Sequence, residues 1–227
     1  RNPTLADHYL YLNVGPATLV GNLEGVEDLV TVQSFIDYRN SSSGLNIAFN
    51  RDTLKYFDIA ALRPEQVRTL EAGYRTTFGD KLYLDANYYF SWYTDFIGYN
   101  IGLDVQFQNP TTPDFVTGVD VYRYAANSLN QVQTQGASLG LNYFLSDELT
   151  VSGNYSWNKL VKTDEDDPII PAFNTPEHKF NLGLTARGYD GVGKDKWGFG
   201  INYRWVQGFL FEGSPQFTGF VPQYDLV

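Results

Sequence analysis

Two histidines, the serines and a single run of carboxylates are the side chains here whose types could do chemistry. His8 and His178 stand far apart, and neither has a second histidine at the two- or four-residue spacing that lets one strand or helix face hold a metal. Cysteine is absent, which removes thiolate ligands, thiol nucleophiles and disulfides together. Gly136-Ala137-Ser138-Leu139-Gly140 has the Gly-x-Ser-x-Gly spelling but falls within an alternating arm, not at a strand-to-helix elbow, and there is no phosphate-cradling Walker loop. Ser156 with His178 is the one pair from which a barrel hydrolase could be built, yet a histidine beside Pro176 and Glu177 at a strand entrance reads more simply as structural. Asp164, Glu165, Asp166 and Asp167 cluster oxygen ligands of the kind calcium takes, without the alternating Asp spacing and glycine of a calcium loop. Charge that keeps an outside loop solvated accounts for that run, and no metal site or cofactor is expected. What remains is contact chemistry, and the elements that position it come next.

Those elements are long alternating arms in pairs. Val67 to Phe78 runs to a polar turn at Gly79-Asp80 and returns as Lys81 to Phe96. In the return arm Leu82, Leu84, Ala86, Tyr88, Phe90 and Trp92 share one face, while Tyr83, Asp85, Asn87, Tyr89, Ser91 and Tyr93 share the other. The pattern recurs from Gln133 to Leu145, across a turn at Ser146-Asp147, and from Leu149 to Asn158. A third pair runs from Phe180 to Arg187 and from Trp197 to Trp205, joined near Gly191-Val192-Gly193. Each pair gives way to a long connection, expected to be irregular. Ordinary strands run roughly 5 to 6 residues, whereas a strand that crosses a bilayer needs about 9 to 11. These arms meet the second requirement.

A soluble β-sandwich also alternates, with one face on a core and one in water. Arm length, short turns at one end against long loops at the other, and Tyr and Trp gathered near the loop ends favour an outer-membrane barrel. The hydrophobic fraction of 43% and mean hydropathy of −0.31 look soluble, but a polar inward face lowers the average for any barrel. No stretch is long and apolar enough for a membrane helix. A net charge of −10 excludes a nucleic-acid partner, which would need a basic stripe. About six full arms and an opening seventh at Tyr224 to Val227 fall short of the roughly eight strands of the smallest barrels, and open sheet edges are not viable in lipid. The chain is therefore expected to be a piece of a larger barrel.

The motifs between the arms carry a resemblance. Arg1-Asn2-Pro3-Thr4 is followed by a long excursion, by Leu62-Arg63-Pro64-Glu65 directly before the first arm, and by Glu71-Ala72-Gly73-Tyr74 within it. Tyr93-Thr94-Asp95-Phe96-Ile97 closes the second arm, Thr134-Gln135-Gly136-Ala137 opens the third, and the run from Pro171 to Lys179 precedes the fifth. In this order they resemble the barrel of TonB-dependent outer-membrane receptors, most of all those of Bacteroidetes-type bacteria. The resemblance implies an all-β section of an antiparallel transmembrane barrel of about 22 strands, with long extracellular loops and short periplasmic turns. It implies one barrel domain over residues 1–227, with 1–62 a long extracellular loop region and 63–227 the strand hairpins. A plug and a TonB-contacting segment are expected outside this sequence.

What the resemblance implies for function is receptor-mediated, TonB-energised uptake of a scarce nutrient at the bacterial outer membrane: a siderophore, cobalamin, a glycan or a peptide. Implied partners are outer-membrane lipid and lipopolysaccharide, the TonB complex, a small nutrient and a surface lipoprotein. Arg75, Asn87, Asn142, Asn154, Asn181, Arg187, Asn202 and Arg204 are expected to face the lumen. Pro64 and Pro176 read as punctuation before strands, where a missing donor breaks no ladder bond. Val26 to Tyr38, with apolar residues three and four apart, reads as a short helix or an irregular excursion. In the loop from Gly208 to Phe217, exposed Phe209, Phe211 and Phe217 with Glu212 form the candidate ligand surface, because such rings are costly unless they pack or bind. A passive porin or adhesin-type barrel and a soluble β-sandwich binding module remain the alternatives.

Overall fold

The structure is a computed structural model describing residues 1–41, 53–109, 115–161, 169, 173–190, 196–212 and 218–227. The acidic run at 164–167, the turn at Gly191-Val192-Gly193 and Phe217 lie outside the described residues. In chain order the elements begin with α1 (Leu5–Tyr9), β1 (Tyr11–Asn13), β2 (Thr18–Val20), β3 (Val30–Thr31) and α2 (Val32–Ser41). Then come β4 (Gln66–Phe78), β5 (Leu82–Thr94), β6 (Ile97–Phe107), β7 (Val116–Asn127), β8 (Val132–Phe144) and β9 (Leu149–Val161). The last are β10 (His178–Asp190), β11 (Lys196–Val206), β12 (Phe209–Glu212), β13 (Thr218–Val221) and β14 (Tyr224–Leu226).

The six long arms and the short β14 form one seven-stranded antiparallel sheet in the order β14-β11-β10-β9-β8-β5-β4. Most arms are 13 residues long, and β4 pairs with β5 in unbroken register from Gln66↔Thr94 to Phe78↔Leu82. Gly79 and Asp80 both take positive φ, 54° and 58°, the left-handed backbone that matches a tight turn to strand twist. Ser146 shapes the second short turn by accepting the N–H of Glu148 and of Leu149 on its Oγ, at 3.3 and 3.2 Å. The apolar face is uncovered: Leu70, Tyr74, Leu139, Leu141, Leu182, Phe199 and Ile201 are all exposed. Among the described residues no core is built on it, whereas a sandwich would bury this face. A patch this broad is stable only against lipid or another apolar surface.

Burial is concentrated instead at the end of the sheet where the long connections leave. There the expectation of irregular loops is corrected. The chain between β5 and β8 is itself a hairpin, β6 with β7, which joins β1, β2 and β3 in a second sheet of order β1-β2-β7-β6-β3. Among the described strands, only β2 with β7 is parallel. Alternation in β6 puts Leu103, Val105 and Phe107 on one side, where Val30, Phe35, Tyr38 and Leu54 pack. Tyr124 and Ala126 of β7 cover the other side with Ile169, Val26, Leu29 and Phe57. Helix α2 takes up most of the apolar stretch from Val26 to Tyr38, with Phe35 and Tyr38 turned inward. Residues 1–62 thus carry secondary structure of their own. The loop from 208 to 217 is also corrected in its described part: β12 and β13 pair as a short hairpin.

Candidate functional site

The polar face of the long sheet collects the eight residues expected at the lumen. Arg75 lies opposite Asp85 and binds a single carboxylate oxygen through Nε at 3.0 Å and Nη2 at 2.7 Å. Asn87 stands between Gly73 and Ser138, and Asn142 between Tyr83 and Ser152. Asn154 and Asn181 face each other across β9 and β10, Asn181 Nδ2 donating to Asn154 Oδ1 at 2.7 Å. Arg204 is the next residue in that row, while Asn202 lies opposite Gly183 and Arg187 opposite Gly198. Asn154, Asn181 and Asn202 with Ser152 and Thr185 line a shallow concavity of about 500 Å³. Small residues between the asparagines leave the amides open to a ligand, to water or to another polar surface.

Tyr89 sits on the same face and, with the Trp157 carbonyl oxygen 2.7 Å from where a Cβ would stand, confines residue 136 to glycine. A Cβ on Gly136 would come within 2.5 Å of the Tyr89 ring, which lies across that position so that its hydroxyl donates to Asn158 Oδ1 at 3.0 Å. Tyr89, Gly136 and Asn158 form one cross-strand row. The apolar face carries rings at both ends. Phe90 with Trp92, and Phe180 with Trp205, pair near the long connections, while Phe78, Tyr143 and Trp197 stand at the short-turn end. His178 is part of the first group, its Nδ1 bonded to the Tyr155 hydroxyl at 2.6 Å.

That position dismantles the hydrolase pair. Ser156 lies opposite Lys179, one residue along from His178, so the serine and the histidine point to opposite faces of the sheet. His8 belongs to α1, where its Nδ1 is buried without a hydrogen-bond partner. Among the described residues no group of His, Asp and Glu could hold a metal. Phe209 and Phe211 share one face of the β12–β13 hairpin, with Glu212 on the other and its backbone held by Asn174. The candidate ligand surface is therefore split.

The second sheet holds features that sequence reading missed. The guanidinium of Arg123 lies 3.8 Å from the centre of the Tyr99 ring. Burial lowers its pKa, opposed only by Tyr99, and burial raises the pKa of Tyr99 itself, with further upward pressure from Glu212. Tyr124 is fully buried beside Asn100, and burial pushes its hydroxyl well above the usual tyrosine range. Alternation in β6 and β7 is the signal that could have found them.

The family model of the TonB-dependent receptor-like β-barrel matches residues 30–227. The chain belongs to this family. It is a section of a receptor barrel of the bacterial outer membrane, and its sheet is open because the chain holds only part of the barrel. Similar solved structures include the FrpB iron transporter from Neisseria meningitidis, 17% identical, with 74% of this chain on 24% of that one at a TM-score of 0.48. The copper transporter OprC is 20% identical, with 73% on 22% and a TM-score of 0.48. The siderophore receptor PirA from Acinetobacter baumannii is 13% identical, with 76% on 26%, again at 0.48. This receptor section thus spans about a quarter of the length of those chains. No curated protein matches it.

Proposed function

We propose that the whole protein is a TonB-energised importer and that this chain supplies part of its lumen wall and outer loops. The observation that carries the reading is the two-faced sheet of 13-residue strands, apolar and uncovered on one side, amide-rich on the other, in a chain of this family. On this reading Arg75, Asn87, Asn142, Asn154, Asn181, Arg187, Asn202 and Arg204 face the lumen, where a barrel too wide to fill with side chains holds a plug or water. The short turns are periplasmic and the second sheet, with the β12–β13 hairpin, is extracellular. Outer-membrane lipid and lipopolysaccharide surround it, TonB engages a part outside this chain, and a surface lipoprotein is a further partner. Siderophore, cobalamin, glycan and peptide are the ligand classes that such transport serves.

The barrel section needs no catalytic group for this, because energy arrives from outside and the wall only binds and releases. Uptake of a representative of each class by cells with and without the full-length gene tests the proposal. Uptake that requires the gene and stops when an uncoupler collapses the proton gradient supports it. Gene-dependent uptake indifferent to the uncoupler would make the protein a passive porin instead.

A further inference from the structure

Arg123 is the anomaly of the second sheet. Acids outnumber bases by 26 to 16 in this chain, yet no carboxylate pairs with this guanidinium among the described residues. Its Nε is buried without a hydrogen-bond partner. One face of the group rests on the Tyr99 ring, a contact that steadies the cation without using its N–H donors. Leaving a cation half out of water with open donors is unfavourable unless an anion completes it.

Space for that anion is present. Arg123 and Tyr99 line a cavity of about 240 Å³ closed by α1 and β2, with Leu10, Leu19, Val20 and Ala125 as apolar walls. The one carboxylate in the wall is already engaged: Asp7 Oδ2 accepts from Thr4 N at 2.7 Å, from Thr4 Oγ1 at 2.8 Å and from Arg1 Nη2 at 3.2 Å. Glu212, whose charge bears on Tyr99, makes no ion pair with Arg123. The volume is below the roughly 300–1,000 Å³ of pockets for drug-sized ligands, so it suits one anionic group on a small body. A guanidinium offers a planar fork of donors to a carboxylate, and the flanking Leu and Val side chains suit an apolar substituent better than a second hydrated charge.

We infer that the Arg123–Tyr99 cavity binds a carboxylate borne on a short apolar or aromatic group. This goes beyond the transport reading and does not depend on it, since binding at this cavity requires neither TonB nor a proton gradient.

The test is titration of the full-length protein in detergent with benzoate, with isobutyrate and with inorganic phosphate, followed by ligand-observed NMR. The two carboxylates should bind measurably and phosphate at least tenfold more weakly. Arg123→Gln should weaken benzoate at least tenfold and Arg123→Lys less, because the charge stays and the fork is lost. Unchanged heat-modifiable gel mobility in each variant guards against an Arg123 variant that fails to fold. Phosphate binding as tightly as benzoate would overturn the inference. So would wild-type protein that binds neither carboxylate, or benzoate binding that persists unchanged in folded Arg123→Gln.

Discussion

Glu65 accepts the backbone N–H of Ile97 on its carboxylate at 3.1 Å, joining the residue before the first long strand to the start of the hairpin that rises from the second. Glu65 is 8% exposed, and its own carbonyl accepts from the backbone nitrogen of Arg1 at 2.7 Å. Two neighbours strengthen the junction. Arg63 pairs with Asp95 at 2.7 Å, and Asn127 accepts from Arg63 N while donating to the carbonyls of Arg63 and Asp95. The Leu62-Arg63-Pro64-Glu65 motif therefore introduces a strand and also ties the second sheet to the rim of the first.

Replacing Glu65 by Ala should leave a buried N–H unsatisfied, at a cost of about 1–3 kcal/mol. Because the bond is at the junction, the loss should appear as faster hydrogen exchange in β6 and β7 while β8 to β10 keep their protection. Uniform protection across both sheets would show that the junction is held without this contact.

The rim was only partly legible in advance. Alternation, turn residues and arm length made β4, β5 and β8 to β11 readable, because lipid on one side and polar contact on the other impose a two-residue period on every arm. The same period runs through β6 and β7, but nothing local to a strand says whether its apolar side meets lipid or packs on residues 1–62. Glu65 gives no local sign of its role for a similar reason: its partner is the backbone N–H of Ile97, 32 residues later. Arg123 stood out in no way until burial and the Tyr99 ring were seen together. The aromatic loop was recognised by composition, whereas the separation of Glu212 from Phe209 and Phe211 follows from strand pairing alone.

Arginine at Leu139 should cost on the order of 2–4 kcal/mol, because the side chain lies on the apolar face near the middle of β8 and would place a charge near the bilayer midplane. Arginine at the adjacent Ser138 should cost much less. Refolding into lipid vesicles, followed by denaturant titration of each variant, makes the comparison, and equal costs would contradict two different surroundings for the two faces.

Gly136→Val should drive Tyr89 off the sheet and break its bond to Asn158, at a cost of about 1–3 kcal/mol as overpacking usually gives. Pairing the change with Tyr89→Ala should recover part of the loss by clearing the space. Melting of the double variant below the single one would mean that the ring is not what confines this position to glycine.

The β12–β13 hairpin offers a comparison between its own faces. If Phe209 and Phe211 touch ligand, changing both to Ser should reduce uptake with heat-modifiable gel mobility unchanged, whereas Leu210 and Phe220 changed to Ser should spare uptake. Loss of the folded gel band in the first variant would assign those rings to packing.

The central claim is that neighbouring residues of one strand meet lipid and a watery lumen in turn. This section has no cysteine, so in a full-length protein cleared of any other cysteine, spin labels can be placed singly at Leu139, Gly140, Leu141 and Asn142 of β8. Their collision rates with oxygen, which concentrates in lipid, and with a water-soluble nickel chelate should alternate with a period of two. Oxygen should dominate at 139 and 141, and the chelate at 140 and 142. Four labels with the same ratio, or the reverse order, would contradict the account.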